Sequence, residues 1–226
     1  MRSPFPAPSY KAFNWEPETR SLFGESDMER RTFLNGLAGA GVAAYSINIL
    51  AAPQFTAKIS AEKWAVIFGT WAGTARDAGV WISEGMGGIA AVFDVRQKPD
   101  VKAYDHLVIG TAIHAGKGPK EFEDFIQANV ADIKNKVRGY YIVCGNGGDR
   151  PGPETHQRYI DNYLAKLCQA TAAVSRAFPG RITKSLLSEA DAKAIERFPE
   201  YDHLSRWECM EIGKQIYTRA AAAKKQ

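Results

Sequence analysis

The stretch Lys63-Trp64-Ala65-Val66-Ile67-Phe68-Gly69-Thr70-Trp71-Ala72-Gly73-Thr74 decides the fold. Its first half is a short, continuous apolar run with no polar residue at alternate positions. A strand that reads this way is buried on both faces, as strands of a parallel sheet are. Its second half is a Gly/Thr loop. Directly after it, Ala78, Trp81, Ile82 and Met86 fall at helical spacing, which predicts a helix over about Ala75 to Met86. A buried strand, a glycine turn and an amphipathic helix make the first half of a βαβ unit.

The pattern repeats toward the C-terminus. Ile89 to Val95 reads as a second strand and His106 to Thr111 as a third, ending in a loop over Ala112 to Pro119. A helix is expected over Lys120 to Ile133, with Phe122, Phe125, Ile126, Val130 and Ile133 on one face. Gly139 to Gly145 is a fourth strand, running into the loop Asn146 to Pro153. A long helix is expected from Glu154 to about Ala177, a fifth strand over Ile182 to Leu187, and a final helix over about Leu204 to Arg219. Strands alternating with helices across short loops argue for an α/β fold. The expected form is a doubly wound, five-stranded parallel sheet with helices on both faces, in one domain over residues 60–220.

Composition excludes several functions. The chain has 226 residues, 45% hydrophobic and 24% charged, with a net charge of +4, which is ordinary for a globular protein. The basic residues are scattered and do not interleave with aromatics, so nucleic acid is not an expected partner. Cys144, Cys168 and Cys209 lack metal-ligand spacing, so no metal is assigned. They read as buried thiols, with a Cys168–Cys209 pairing open in an oxidising compartment. No Ser–His–Asp or Cys–His arrangement is legible, and no catalytic residue is assigned. Trp64, Trp81 and Trp207 fall at apolar positions and are expected in the core. Trp71, in a loop at a strand's carboxyl end, is not. His106 and His203 read as structural.

The first 28 residues are rich in Pro, Ser and mixed charge and read as an extended tail. Phe13 and Trp15 within it suggest a contact with a partner. Next comes Glu29-Arg30-Arg31-Thr32-Phe33-Leu34-Asn35, and from Thr32 to Gln54 there is no charge. This segment resembles a twin-arginine export signal, matching at Arg30, Arg31, Phe33 and Leu34 and departing at Glu29 and Asn35. Paired arginines beside an apolar run hold that end on the cytoplasmic side. The run has about the length needed to cross a bilayer. A hydrophobic helix is therefore expected over 29–54, entering the membrane through residues 32–52, with the domain on the periplasmic side. Ile49-Leu50-Ala51-Ala52-Pro53 fits a cleavage site poorly, and both a cut signal and an uncleaved anchor stay open.

Doubly wound sheets bind ligands at the carboxyl ends of their strands, and three Gly-rich loops lie there. Val66-Ile67-Phe68-Gly69-Thr70-Trp71-Ala72-Gly73-Thr74-Ala75 resembles the strand–S/T-x-x-G-x-T–helix of the flavodoxin family. Tyr104-Asp105-His106-Leu107-Val108-Ile109-Gly110-Thr111-Ala112-Ile113-His114-Ala115-Gly116 is similar to Y-D-x-x-x-I-G-x-x-I-x-x-G of its menaquinone-dependent protoporphyrinogen oxidase-like branch. Cys144 to Pro153 sits where that family's last flavin-contacting loop sits, and Arg206-Trp207-Glu208 resembles its closing W-E. The resemblance spans Lys63 to about Tyr217.

That resemblance implies FMN. Thr70, Gly73 and Thr74 would contact its phosphate, with Trp71 and Ala72 offering backbone N–H groups. The ring would lie between Ile113, His114, Ala115 and Gly116 on one side and Asn146, Gly147, Gly148 and Asp149 on the other. Two departures bear on affinity: Ala75 stands where a phosphate-binding Thr is usual, and the ring-flanking loops carry no Tyr or Trp, leaving His114 to stack. Lys117 offers compensating charge. The expectation is an exported, membrane-anchored flavodoxin-like protein that binds FMN and transfers electrons within a membrane or periplasmic redox system. The alternative is a cofactor-free, flavodoxin-like accessory subunit of a membrane redox complex. Protein partners in such a complex are expected either way.

Overall fold

The structure, a computed structural model, describes residues 57–58, 60–145, 150–187 and 189–223. The expected tail over 1–28 and the hydrophobic helix over 29–54 lie outside the described residues. In chain order the elements are β1 (Trp64–Gly69), α1 (Thr74–Gly85), β2 (Ala90–Asp94), β3 (His106–Ile113), α2 (Lys120–Ile133) and β4 (Val137–Cys144). Next comes α3, which is α-helical over Pro153–His156, widens to a π-helix over Gln157–Leu164 and returns to α over Ala165–Cys168. Then follow β5 (Val174–Pro179), β6 (Arg181–Ile182), α4 (Glu189–Ala194), β7 (Tyr201–Asp202) and α5 (Arg206–Ala223).

The main sheet has five parallel strands in the order β2-β1-β3-β4-β5. The expected doubly wound sheet is therefore present. β1 is buried at every position, which explains its unbroken apolar run: both faces are covered. Ala65, Ile67, Leu107, Ile109, Tyr140 and Ile142 pack on one face with α2 and α3. Trp64, Val66, Phe68, Val108, Tyr141 and Val143 pack on the other with α1 and α5. A fully buried Ile or Phe contributes about 1.5–3 kcal/mol, so this two-faced burial is the main source of stability.

Glycines set how closely these layers approach. A Cβ on Gly85 of α1 would lie 1.9 Å from the Met210 carbonyl oxygen of α5, and one on Gly213 of α5 would lie 2.0 Å from the Ile82 carbonyl oxygen of α1. The two helices thus meet backbone to backbone.

Three expectations are corrected. The fifth strand is Val174–Pro179 and not Ile182–Leu187. Correspondingly, the helix from Glu154 ends at Cys168, where Gln169 turns left-handed at φ 50° and caps it. The run after it reads as helix because it is rich in alanine, the strongest helix former, and holds no Gly or Pro. In β5, Ser175 and Ala177 are only partly covered and Arg176 is exposed, so the run lacks a core signature. Ile182 instead pairs with Tyr201 in the small antiparallel β6–β7 ribbon. Trp207 is 72% exposed. It stands two residues before Cys209, and two helical steps place it about 200° from the buried stripe of Cys209, Ile212 and Ile216. Cys168 and Cys209 lie in the cores on opposite faces of the sheet. All three cysteines are buried and free, so the pairing option is closed.

Candidate functional site

The loop from Gly69 to Thr74 joins β1 to α1 at the carboxyl edge, beside the point where the strand order reverses. Gly73 caps α1 at φ 85°, a left-handed conformation that glycine adopts without strain. The Gly73 N–H donates to Thr70 Oγ1 at 3.0 Å. Thr70 and Thr74 are each only 7% exposed, so the turn is held from within. The Ala75 carbonyl accepts from the Tyr141 hydroxyl at 2.9 Å, which ties the first turn of α1 to β4. Tyr141 reaches it across β3 at Gly110, its neighbour in register.

A cavity of about 330 Å³ opens on this turn. That is the small end of the range of about 300–1,000 Å³ for ligand clefts, with room for one end of a nucleotide-sized molecule. Thr70, Trp71, Ala72 and Gly73 line it, with Arg76 of α1, Asp94 and Arg96 after β2, Arg181 of β6 and Leu186. Three guanidinium groups therefore face one glycine turn. Arg76 pairs with Asp77 Oδ1 at 2.9 Å and Arg181 with Asp77 Oδ2 at 2.7 Å. Arg181 Nη1 is 4.0 Å from Asp202, and its Nε is buried with no hydrogen-bond partner among the described residues. Asp94 caps the next 3₁₀ turn and binds Arg96. Its hydrogen bond to Asp94 raises the Arg96 pKa further, so that cation is fixed.

The second loop adjoins the first. His114 and Lys117 exchange backbone hydrogen bonds of 3.0 and 3.2 Å, with Ala115 at φ 49° and Gly116 at φ 89° between them. Positive φ at both central positions is the I′ pattern, strained at a residue other than glycine. Trp71 packs edge-on against His114, ring centroids 5.5 Å apart. The first loop thus sets an aromatic surface beside the second. Gly118 N–H donates to the Tyr163 hydroxyl at 2.8 Å, and that hydroxyl donates to Glu123. Tyr163 lies in the π-helical part of α3, so that widened turn anchors the end of the second loop.

Of the expected site residues, Thr70, Trp71, Ala72 and Gly73 line the cavity and Thr74 lies buried beneath it. Ile113, His114, Ala115 and Gly116 stand beside it, linked through Trp71. Asn146, Gly147, Gly148 and Asp149 lie outside the described residues. Arg150, just after them, binds Glu208 at 2.8 Å. Sequence reasoning missed Arg76, Arg96, Arg181 and Tyr201. Arg76 had a signal, since a cation in the first turn of a helix opposes the macrodipole and calls for an anion nearby. Tyr201 stacks on His203 at 5.0 Å, and its buried hydroxyl approaches Gly145 at the root of the third loop. No group of three or more His, Cys, Asp or Glu placed to hold a metal exists among the described residues.

Known proteins with solved structures resemble this architecture. Flavodoxin 1 from Bacillus cereus is 18% identical, with a TM-score of 0.46, covering 69% of this chain and 97% of its own. The Megasphaera elsdenii flavodoxin is 14% identical, with a TM-score of 0.45, covering 68% and 98%. The Flv1 flavodiiron core from Synechocystis is 13% identical, with a TM-score of 0.47, covering 72% of this chain and 37% of that one. No curated protein sequence matches the chain. The family model of the flavodoxin domain matches residues 65–200, well over half of the chain. With the strand order and the loop at its reversal point, this places the chain in the flavodoxin domain family.

Proposed function

We propose that the chain binds FMN at the carboxyl ends of β1, β3 and β4 and carries electrons. In this reading it is exported by the twin-arginine route and stays at the periplasmic face of the membrane, anchored by residues 32–52. The observation that carries the FMN reading is the cavity at the first loop, a glycine turn facing Arg76, Arg96 and Arg181 beside the Trp71–His114 pair. The residues present fit both ends of such a ligand. A phosphate is a dianion and suits the cationic wall. A flat aromatic ring suits the exposed surface of Trp71 and His114.

FMN, when bound, supplies the electron chemistry. The protein's part is to bind, orient and tune. The buried Thr70 and Thr74 keep the turn rigid, and the backbone bridge from His114 to Lys117 holds the second loop in one shape. Asn146 to Asp149 complete the ring site by the family resemblance. The protoporphyrinogen oxidase-like branch supports redox work. The oxidation named for that branch belongs on the cytoplasmic side, whereas Arg30, Arg31 and the uncharged run after them favour export of an already folded protein. Among the described residues no helix is long and apolar enough to cross a membrane, and the segment proposed to do so lies outside them.

One observation favours the second reading, a cofactor-free accessory subunit of a membrane redox complex. The Gly73 N–H is spent on Thr70 Oγ1, and Ala75 brings no hydroxyl. The absorbance spectrum of the protein purified from its membrane fraction separates the two. Flavin bands in the near-ultraviolet and blue, released as FMN on denaturation, are the expected result. A colourless protein that takes up no added FMN refutes the first reading and leaves the second.

A further inference from the structure

We infer that this chain holds the phosphate end of its ligand by guanidinium groups, through Arg76 and Arg181, in addition to the loop itself. The inference rests on the FMN reading above and concerns how that site recognises its ligand.

One of the turn's own donors is spent within it. Thr70 Oγ1 accepts the Gly73 N–H. Thr111, at the end of β3, turns its hydroxyl to the Gly69 and Ala112 carbonyls. Ala72 and Ala75 carry no hydroxyl. Beside the donors that remain, two cations converge on the turn. Arg76 Nη2 lies 3.5 Å, and Arg181 Nη2 3.8 Å, from the point where a Cβ on Gly73 would stand. The glycine leaves that point open to a ligand atom.

The two arginines come from distant parts of the chain and are fixed relative to each other by Asp77, which binds one with each oxygen. Each guanidinium carries five N–H donors. Asp77 engages Arg76 through Nε and Nη2 only and Arg181 through Nη2, which leaves the Nη1 groups of both. Donors remain for a second anion. Two arginines sharing one carboxylate leave one positive charge in excess at the turn, moderated by Asp202 at 4.0 Å, while Asp94 and Arg96 balance each other. A phosphate placed there would be met by these remaining guanidinium donors, and Arg suits bidentate geometry better than Lys.

The test compares FMN with riboflavin, which lacks the phosphate. Flavin fluorescence is titrated with the full chain, with R76Q, R181Q and R181K, each at low and high salt. The wild type is expected to bind FMN at least tenfold more tightly than riboflavin, with the preference shrinking as salt rises. R76Q and R181Q are each expected to lose about tenfold to a hundredfold in FMN affinity, the range for a hydrogen bond to a charged group, with riboflavin affinity unchanged. R181K should recover only part. Arg76 is half exposed, so R76Q retains the fold even if loss of Arg181 loosens the β6–β7 ribbon. If FMN binds and its preference over riboflavin survives in both Gln variants, guanidinium recognition is refuted while the FMN reading stands. If the wild type binds neither flavin, the FMN reading and this inference fall together.

Discussion

Replacing Gly110 by alanine tests how the first loop is held in place. Gly110 lies in β3 directly beside Tyr141 of β4, and the Tyr141 ring lies across it. A Cβ at Gly110 would come within 2.0 Å of Tyr141 Cε1 and 2.1 Å of Cζ. The ring cannot simply retreat, because its hydroxyl donates to the Ala75 carbonyl at 2.9 Å and is wholly buried. Overpacking of this kind costs about 1–3 kcal/mol. If the ring swings away, the buried Ala75 carbonyl loses its partner at a further cost of about 1–3 kcal/mol. The substitution should therefore destabilise by about 2–5 kcal/mol, although alanine is ordinarily the better strand residue. Urea unfolding of Gly110→Ala, Tyr141→Leu and the double variant measures it. The double variant should be less destabilised than the two single effects added together, because Leu vacates the space the new methyl needs. Tyr141→Phe, which keeps the ring, should not rescue Gly110→Ala. A loss under about 0.5 kcal/mol for Gly110→Ala, or strict additivity with Tyr141→Leu, would show that the ring does not pin the turn.

Other expectations follow from the same contacts. Gly213→Ala forces α1 and α5 apart at the Ile82 carbonyl and should cost at least about 2 kcal/mol by urea unfolding; a neutral effect would mean the helices slide freely. Burial pushes the Cys144 thiol up to about 11 and those of Cys168 and Cys209 up to about 12. The native protein at pH 8 should therefore resist iodoacetamide at all three, and become labelled there in denaturant; rapid native labelling, read by mass spectrometry, would contradict the packing. Burial, aided by Arg138 and opposed by Asp105, lowers the His106 pKa from its usual 6.5. Glu62 lies 3.3 Å away but is a third exposed, so water screens it and burial prevails. Below pH 6.5 the unfolded chain takes up a proton that the folded chain refuses. Stability should thus be level above that pH and fall as pH drops through and below it. The urea midpoint of His106→Gln should show a weaker acid dependence than wild type; an unchanged dependence would acquit His106. Replacing Arg30 and Arg31 together by Lys should abolish appearance of the protein in the periplasmic membrane fraction if the export reading holds, and immunoblotting of fractions decides it.

The chain by itself determined the sheet. Continuous apolar runs such as Trp64–Phe68 can be buried only between two layers of helix, and glycine turns followed by helical spacing fix a parallel, doubly wound order. It also determined the first loop, since Gly73 takes the left-handed conformation its position requires. It did not determine β5, because the middle of that strand, Ser175 to Ala177, is not buried and carries no continuous apolar run. Nor did it disclose the cationic wall. Arg76 and Arg181 are more than a hundred residues apart, and only the return of β6 against the first loop puts both on Asp77. The aromatic contact between Trp71 and His114 likewise joins two loops that are adjacent only because β1 pairs with β3. Period and turn chemistry are local and can be read along the chain. A charge cluster or a ring contact depends on which strand ends become neighbours, and that is decided only when the sheet closes its order.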